Sequence, residues 1–200
     1  LLGSSGMRIG EAMQLKKKDL DVSQERIKVN IPAEITKTRK GRSTYMSRET
    51  EKMLKPFLDD YADDDFIFDF GSTTDKSMRS ARESNNLRTV LKRLNLDDRY
   101  PSNNHGKITT HSFRAYFFTL ATRRHGENYA HRLTGHSGYL MQYDRMTEEE
   151  KLDMYIELEQ DLMIYDQTKN ELEIEKLQKD NKELTKLRQE LRELKKEREL

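Results

Sequence analysis

The segment from Asp166 to Leu200 contains neither glycine nor proline, and its apolar residues recur at a fixed interval. The first row repeats every seven residues and consists of Leu177, Leu184 and Leu191. The second row, Leu187 and Leu194, has the same interval and lies three residues after the first. This pattern predicts a long helix and favours a coiled coil. Two registers stay open, because the first row fits position a, or position d with Ile174 and Asn181 at a. The alternative is a single solvated helix, stabilised by ion pairs between residues four apart.

The composition divides the chain at about the same place. Charged residues make up 36% of the chain and hydrophobic residues 34%, and much of the charge follows Ile164. The earlier part has the apolar residues of an ordinary soluble domain. We therefore expect one domain over residues 1–165 and a charged helix over residues 166–200.

Charge and cysteine content limit the function classes. The formal net charge is +1, which does not exclude a nucleic-acid partner because a local basic face is sufficient. The chain has no cysteine, which excludes disulfides, thiolate metal sites and cysteine nucleophiles and favours a cytoplasmic location. No apolar stretch approaches the roughly 20 residues that span a bilayer, so no membrane partner is expected.

An extended region lies near the start of the first domain. Residues 26–31 alternate polar and apolar side chains, which predicts a half-buried strand. Short segments at 35–38 and 43–46 predict two further strands, with the basic turn 39–42 between them. Together they predict a small antiparallel sheet with a basic hairpin tip.

Amphipathic spacing predicts helices through most of the remaining domain. Short helices are expected after Gly6 and over residues 128–133. Longer ones are expected from near Ser47 and over residues 84–96, 110–126 and 147–159. The apolar residues at helical spacing after Thr110 are expected in the core: Phe113, Tyr116, Phe117, Leu120 and Ala121. The expected fold class is α+β and mostly helical, with a small antiparallel sheet and a long C-terminal helix.

Four separated motifs carry the residues best suited to chemistry. They are GMRIGEA at 6–12, ITKTRKG at 35–41, HSFR at 111–114 and LTGHSGYLMQYDR at 133–145. In this order they resemble the signature of the tyrosine recombinase catalytic domain, over about residues 1–165. The sequence of the last motif, together with TEEE at 147–150, is most similar to the sequences of archaeal and archaeal-virus integrases.

The resemblance implies an enzyme that cuts and rejoins DNA through a covalent 3′-phosphotyrosine, with no cofactor. It also implies a family N-terminal core-binding domain outside this chain. Because the chain opens at Leu1 without a methionine, we expect it to be a fragment.

The chemistry of phosphodiester transesterification explains the arginines. Planar guanidiniums donate bidentate hydrogen bonds to a phosphate and stay charged, so two of them can stabilise the transition state without a metal. The resemblance assigns this role to Arg8 and Arg114, and an orienting role to Glu11, three residues after Arg8. Taken alone, Arg8 and Glu11 also fit a surface ion pair of small energetic value.

The second motif supplies the candidate general acid. The resemblance matches Lys37 to the family's hairpin lysine, which protonates the leaving 5′-oxygen or contacts a neighbouring base. Lys40 is the rival, since the tip also holds Arg39 and Arg42. We expect Arg39, Lys40 and Arg42 to bind DNA; solvent exposure alone is the other interpretation.

Two histidines complete the expected phosphate site. His111 lies three residues before Arg114, so both project from one helix face. His136 matches the family position that donates a hydrogen bond near the phosphate. His131 and His136 lack the spacing of a zinc helix, and no metal site is expected.

The nucleophile is chosen from several tyrosines. The usual family interval after His136 ends at Arg145, so the resemblance departs from the pattern here. Tyr143, within the sequence YDR, is our choice, and Tyr139, Tyr155 and Tyr165 are alternatives. A phenol of pKa near 10 must lose its proton to a neighbour or to arginine stabilisation.

Two classes of function follow. The first is a site-specific recombinase or integrase, acting on double-stranded DNA and self-associating, through its C-terminal helix among other contacts. The second is a catalytically impaired, recombinase-like DNA-binding protein that assembles through the C-terminal coiled coil. A coiled-coil transcription regulator would explain the tail but not the four motifs.

Overall fold

The computed structural model describes residues 1–68, 75–136 and 145–198. The chain divides into two compact units, Leu1–Leu162 and Met163–Leu200. The helices of the first unit are α1 (Leu2–Ser5), α2 (Ile9–Ala12), α3 (Arg48–Leu58), α4 (Lys76–Arg93), α5 (Thr110–His125), α6 (Glu127–Thr134) and α7 (Glu148–Leu162). Its strands are β1 (Leu20–Asp21), β2 (Lys28–Ile31) and β3 (Arg42–Tyr45).

The three strands form one antiparallel sheet in the order β1-β2-β3. Leu20 is paired with Val29, and Val29 with Thr44 on the other side. Val29 and Ile31 are buried while Asn30 between them is exposed, as the alternation of side chains along a strand requires. The prediction of a mostly helical α+β fold with a small antiparallel sheet is confirmed.

The segment predicted as a second strand at 35–38 is instead a turn, so that prediction is wrong. Ala33–Ile35 forms a short 3₁₀ helix after Pro32. The Thr36 hydroxyl donates to the Ala33 carbonyl at 3.0 Å and accepts from the Lys40 backbone nitrogen at 3.1 Å. These local bonds satisfy backbone groups that a strand would pair with a neighbour.

Two apolar clusters hold the first unit together. The first joins the sheet to the chain around α2, through Met7, Ala12, Met13, Leu15, Ile27, Val29, Ile31 and Met46. The second joins α5, α6 and α7, through Phe117, Ala121, Tyr129, Leu133, Tyr155 and Leu158. Tyr45 belongs to the second cluster and the adjacent Met46 to the first. Strand β3 is therefore fixed between the clusters.

Helix α5 buries fewer of its apolar residues than expected. Phe117 and Ala121 are fully buried, but Phe113 is 37% and Tyr116 is 47% exposed. The helix contacts α1, α6 and α7, and these neighbours leave part of its surface to solvent. The core prediction was therefore wrong for Phe113 and Tyr116.

Side-chain caps explain where two helices begin. Ser47 precedes α3 as predicted, and its hydroxyl accepts from the Thr50 backbone nitrogen. Helix α4 starts at Lys76, earlier than the predicted residue 84, because Asp75 accepts from the backbone nitrogens of Ser77 and Met78. The sequence pattern had detected only the apolar C-terminal half of α4.

The second unit consists of one helix, α8 (Asp166–Arg198), in agreement with the predicted long helix. Its pairing into a coiled coil stays a prediction. Over the described residues, no helix is long and apolar enough to cross a membrane.

Candidate active site

A cleft of about 510 Å³ collects side chains from three of the four motifs. Arg8 and Glu11 reach it from α2, Lys37 from the turn before β3, and His111 and Arg114 from the first turns of α5. These residues are far apart in sequence. The motifs gave only their order along the chain, and the fold brings them into one cleft. Lys76 and Ser80 of α4 also line the cleft, and no sequence motif had indicated them.

Arg8 lies at the start of α2 and its guanidinium is partly exposed, at 27%. Its Nη1 donates to Glu11 Oε1 at 3.1 Å, and its backbone nitrogen donates to Glu11 Oε2 at 2.8 Å. Glu11 thus caps the helix and holds the Arg8 side chain with the same carboxylate. The predicted contact between Arg8 and Glu11 is present.

Arg42 differs from its prediction as a DNA-binding residue at the hairpin tip. Its side chain is only 8% exposed, and its two terminal nitrogens donate to the two carboxylate oxygens of Glu11 at 3.0 and 2.6 Å. Its Nε donates to the Leu133 carbonyl at 2.9 Å, near the end of α6. The guanidinium faces the interior, where three of its N–H groups donate to this buried carboxylate and carbonyl. Only Arg39 and Lys40 of the predicted basic tip are exposed.

The Glu11 carboxylate interacts with three guanidiniums, those of Arg8, Arg42 and Arg114. Burial alone would raise the pKa of Glu11, but the hydrogen bonds and positive charge of Arg42, with those of Arg8, lower it overall. The carboxylate therefore stays ionised at neutral pH. The group keeps an excess of positive charge facing the cleft.

Arg114 is 2% exposed and lacks a carboxylate partner among its hydrogen bonds. Its terminal nitrogens donate to the Gly6 carbonyl and, at 2.5 Å, to the Thr134 carbonyl. Its Nε is buried with no hydrogen-bond partner among the described residues. Burial, together with repulsion from Arg8 and Arg42, lowers the pKa of Arg114 to about 10. A buried cation in this condition is stabilised by an incoming anion.

Lys37 and His111 are exposed on the rim of the same cleft. Lys37 thus lines the same cleft as Arg8 and Arg114. Lys40 is also exposed, on the other side of the turn, where its backbone nitrogen is bonded to Thr36. The geometry favours Lys37 over Lys40 as the residue that reaches a group bound in the cleft.

His136 follows Gly135, the left-handed residue that ends α6. Its ring lies 5.6 Å from the Phe118 ring and 5.7 Å from the His131 ring, centroid to centroid. The residue as a whole is exposed, yet partial burial of the ring and the positive charges of Arg114 and Arg8 lower its pKa to about 4. His136 is therefore neutral at pH 7 and can donate one N–H hydrogen bond.

The chosen nucleophile Tyr143 and its alternative Tyr139 lie outside the described residues. Tyr155 is fully buried, and its hydroxyl donates to the Ser4 carbonyl at 2.7 Å. Burial, with the charge of Glu159, raises the pKa of Tyr155 well above its ordinary value. Tyr155 is thus a core residue, and its phenol cannot meet a phosphate without leaving the core. Tyr165 is 60% exposed.

Residues 1–150 match the phage integrase family. Because that match covers most of the chain, this protein belongs to the phage integrase family, which is the family of the tyrosine recombinases. No curated protein sequence matches the chain.

Solved structures of two other proteins are similar to this chain. The XerH site-specific recombinase, bound to its difH substrate in a pre-cleavage complex, is 18% identical with a TM-score of 0.50. The Tn1549 transposon integrase, in complex with circular intermediate DNA, is 17% identical with a TM-score of 0.43. Each similarity covers 76% of this chain, but only 43% of the XerH chain and 54% of the Tn1549 integrase chain. The likeness to XerH supports the fold assignment.

Proposed function

We propose that this chain is the catalytic part of a site-specific DNA recombinase or integrase that works through a covalent 3′-phosphotyrosine. The observation that carries the proposal is Arg114, which lies in one cleft with Arg8, Lys37 and His111. Its guanidinium is buried, and its Nε has no hydrogen-bond partner in the part of the chain that the structure describes. A preorganised group of cations of this kind fits the charge that develops on a phosphate during strand transfer. The XerH recombinase, whose fold is similar, is bound to its difH substrate, and this adds support for DNA as the substrate here.

The proposed reaction is a transesterification at one phosphorus atom. The Tyr143 phenol gives its proton to a neighbouring base, for which His111 is the candidate. Its oxygen attacks in line and forms a bond to phosphorus while the bond to the 5′-oxygen breaks. Lys37 gives a proton to the leaving 5′-oxygen, and Arg8 and Arg114 neutralise the non-bridging oxygens. An incoming 5′-hydroxyl then reverses these steps on another strand and releases the tyrosine.

The remaining predicted site residues have supporting roles in this proposal. His136, neutral at pH 7, donates a hydrogen bond to a phosphate oxygen, and His111 donates another or exchanges a proton. Glu11 orients Arg8. The exposed pair Arg39 and Lys40 binds DNA phosphates beside the cleft.

A pool of nicked duplexes with randomised flanking sequence tests the proposal without knowledge of the target site. The nick lets the short 5′-hydroxyl fragment diffuse away, so a covalent protein–DNA adduct accumulates and resists denaturation. We expect such an adduct, with the DNA attached to Tyr143 when the tryptic peptides are mapped by mass. The variant Tyr143→Phe should form none, whereas Tyr165→Phe should form as much as the unchanged chain.

The variant Arg8→Gln separates catalysis from binding. It removes one donor to the transition state, so adduct formation should fall by about 100-fold or more. DNA binding should change little, because other cations also contact phosphates. In the matched control Arg39→Gln, DNA binding should weaken, whereas adduct formation from bound DNA should change little.

The rival function has its own outcome. The interval from His136 to Tyr143 is seven residues, and Arg145 takes the place where the family usually has tyrosine. If the chain binds the duplex pool but neither it nor any tyrosine variant yields an adduct, it is a DNA-binding protein that has lost catalysis.

A further inference from the structure

The apolar stripe of α8 is continuous when the two heptad registers are joined. It runs through Ile174, Leu177, Asn181, Leu184, Leu187, Leu191 and Leu194, and we call this set the heptad seam. Leu184 is position d in the register that places Ile174 and Asn181 at a, and position a in the register that places Leu187 and Leu194 at d. Where the two registers meet, one step of three residues therefore replaces a step of four. A step of this kind overwinds a coiled coil locally without interrupting its contact.

The heptad seam is exposed within the part of α8 whose side chains the structure describes. Ile174 is 54%, Leu177 is 61%, Leu184 is 52% and Leu187 is 53% exposed. The flanking side chains from residue 181 to residue 190 are exposed as well. Burial of such a stripe against another helix would remove a large apolar area from water.

The charges beside the heptad seam identify the partner. With Leu184 at position a, Glu183 and Glu190 occupy g positions, while Arg188 and Lys195 occupy e positions. In a parallel pair, each g position faces the e position five residues later on the other helix, so glutamate meets arginine or lysine twice. In an antiparallel pair, g faces g and e faces e, which brings like charges together. The sequence is therefore complementary to a parallel copy of itself.

Asn181 adds a second argument for a defined pair. In the register that places Leu177 and Leu184 at d, Asn181 takes position a within an otherwise apolar seam. A single asparagine at this position is satisfied by the same residue of a parallel partner, and it fixes both the register and the two-stranded state.

We propose that α8 pairs in parallel and in register with α8 of a second copy of this chain, along the heptad seam. The two Leu1–Leu162 units are then attached at the same end of the coiled coil. This inference does not depend on the proposed catalytic activity, and a chain without activity would pair in the same way.

The absence of cysteine from the chain allows a direct test of direction. Leu177→Cys and Leu191→Cys place one thiol near either end of the heptad seam, at equal distances in sequence from Leu184. In a parallel pair, each variant alone should form a disulfide-linked dimer under mild oxidation. The control Lys182→Cys, which lies outside the seam in both registers, should stay monomeric on the same gel.

Other outcomes overturn the proposal. If the two cysteine variants cross-link only when they are mixed, the helices are antiparallel. If neither variant cross-links alone or in the mixture, and the unchanged chain sediments as a monomer, α8 does not pair with a second copy.

Charge reversal tests the ion pairs separately. The double change Glu183→Lys with Glu190→Lys should weaken self-association by about tenfold or more, because like charges then face each other. Mixing it with the Arg188→Glu, Lys195→Glu chain should restore a dimer that contains one of each. Undiminished self-association of the double variant would contradict the assigned pairs.

Discussion

One guanidinium, that of Arg42, connects β3 to both α2 and α6. It is paired bidentately with the buried Glu11 and bonded to the Leu133 carbonyl. Replacement by glutamine leaves the buried Glu11 carboxylate with only its hydrogen bonds to Arg8 among those described. We expect Arg42→Gln to lower the free energy of unfolding by about 3–5 kcal/mol in urea titrations at pH 7.

The effect of Arg42→Gln should depend on pH in a stated direction. The pKa of Glu11 is lowered in the folded chain, so its ion pairs stabilise the fold above the unfolded-state pKa and lose this effect as pH falls through the folded-state pKa. The penalty should therefore be largest near neutrality and should shrink in acid. Arg39→Gln is the matched control, since Arg39 is exposed and its loss should change stability by less than about 0.5 kcal/mol. Equal penalties for the two variants would contradict the assigned role of Arg42.

The sequence predicted the contact of Arg8 with Glu11 but not the inward direction of Arg42. The HxxR spacing placed His111 and Arg114 on one helix face by local geometry, whereas only the resemblance to the tyrosine recombinases grouped Arg8 with them. Arg42 lies in a strand with packing on both faces: Thr44 and Tyr45 are each fully buried. Alternation along such a strand does not tell which charged residue turns inward, so the basic turn was interpreted as a surface feature.

At the scale of elements, helix limits were predicted from apolar spacing and caps, and strands from alternation. Both kinds of prediction were wrong where a side chain bonds to nearby backbone groups. Asp75 extends α4 beyond its apolar stripe, and Thr36 converts an expected strand into a turn. The end of α6 is a comparable junction. Gly135 adopts φ 71°, and a Cβ placed there would lie 2.7 Å from Arg42 Cδ.

Gly135→Ala should therefore loosen the connection between α6 and β3. Left-handed backbone strain costs about 1–3 kcal/mol for a residue with a side chain, and the Arg42 side chain must also shift. We expect a loss of stability of at least this size by urea unfolding, and a change in the imidazole resonances of the adjacent His136 by NMR. Gly10→Ala is the control, because its Cβ would meet only side-chain ends, Lys76 Cε at 3.4 Å and Ser80 Oγ at 3.7 Å. Unaltered stability of Gly135→Ala would show that the junction tolerates a side chain.

At the scale of the whole molecule, the two units differ in what can stabilise them. Both apolar clusters lie within Leu1–Leu162, whereas the second unit is a single helix with an exposed heptad seam. A lone helix in water has little stability beyond its own hydrogen bonds and charge pairs. The helical state of α8 should therefore depend on a partner, while the first unit should not.

This difference predicts two unfolding events. Far-ultraviolet circular dichroism during heating should show a transition of α8 whose midpoint rises with protein concentration, since association stabilises the folded helix by mass action. The transition of the first unit, followed by tyrosine fluorescence, should not move with concentration. A chain that ends at residue 165 should keep the transition of the first unit and lose the transition of α8. If helix and core instead unfold together at a midpoint independent of concentration, α8 draws its stability from its own chain and the parallel pair is wrong.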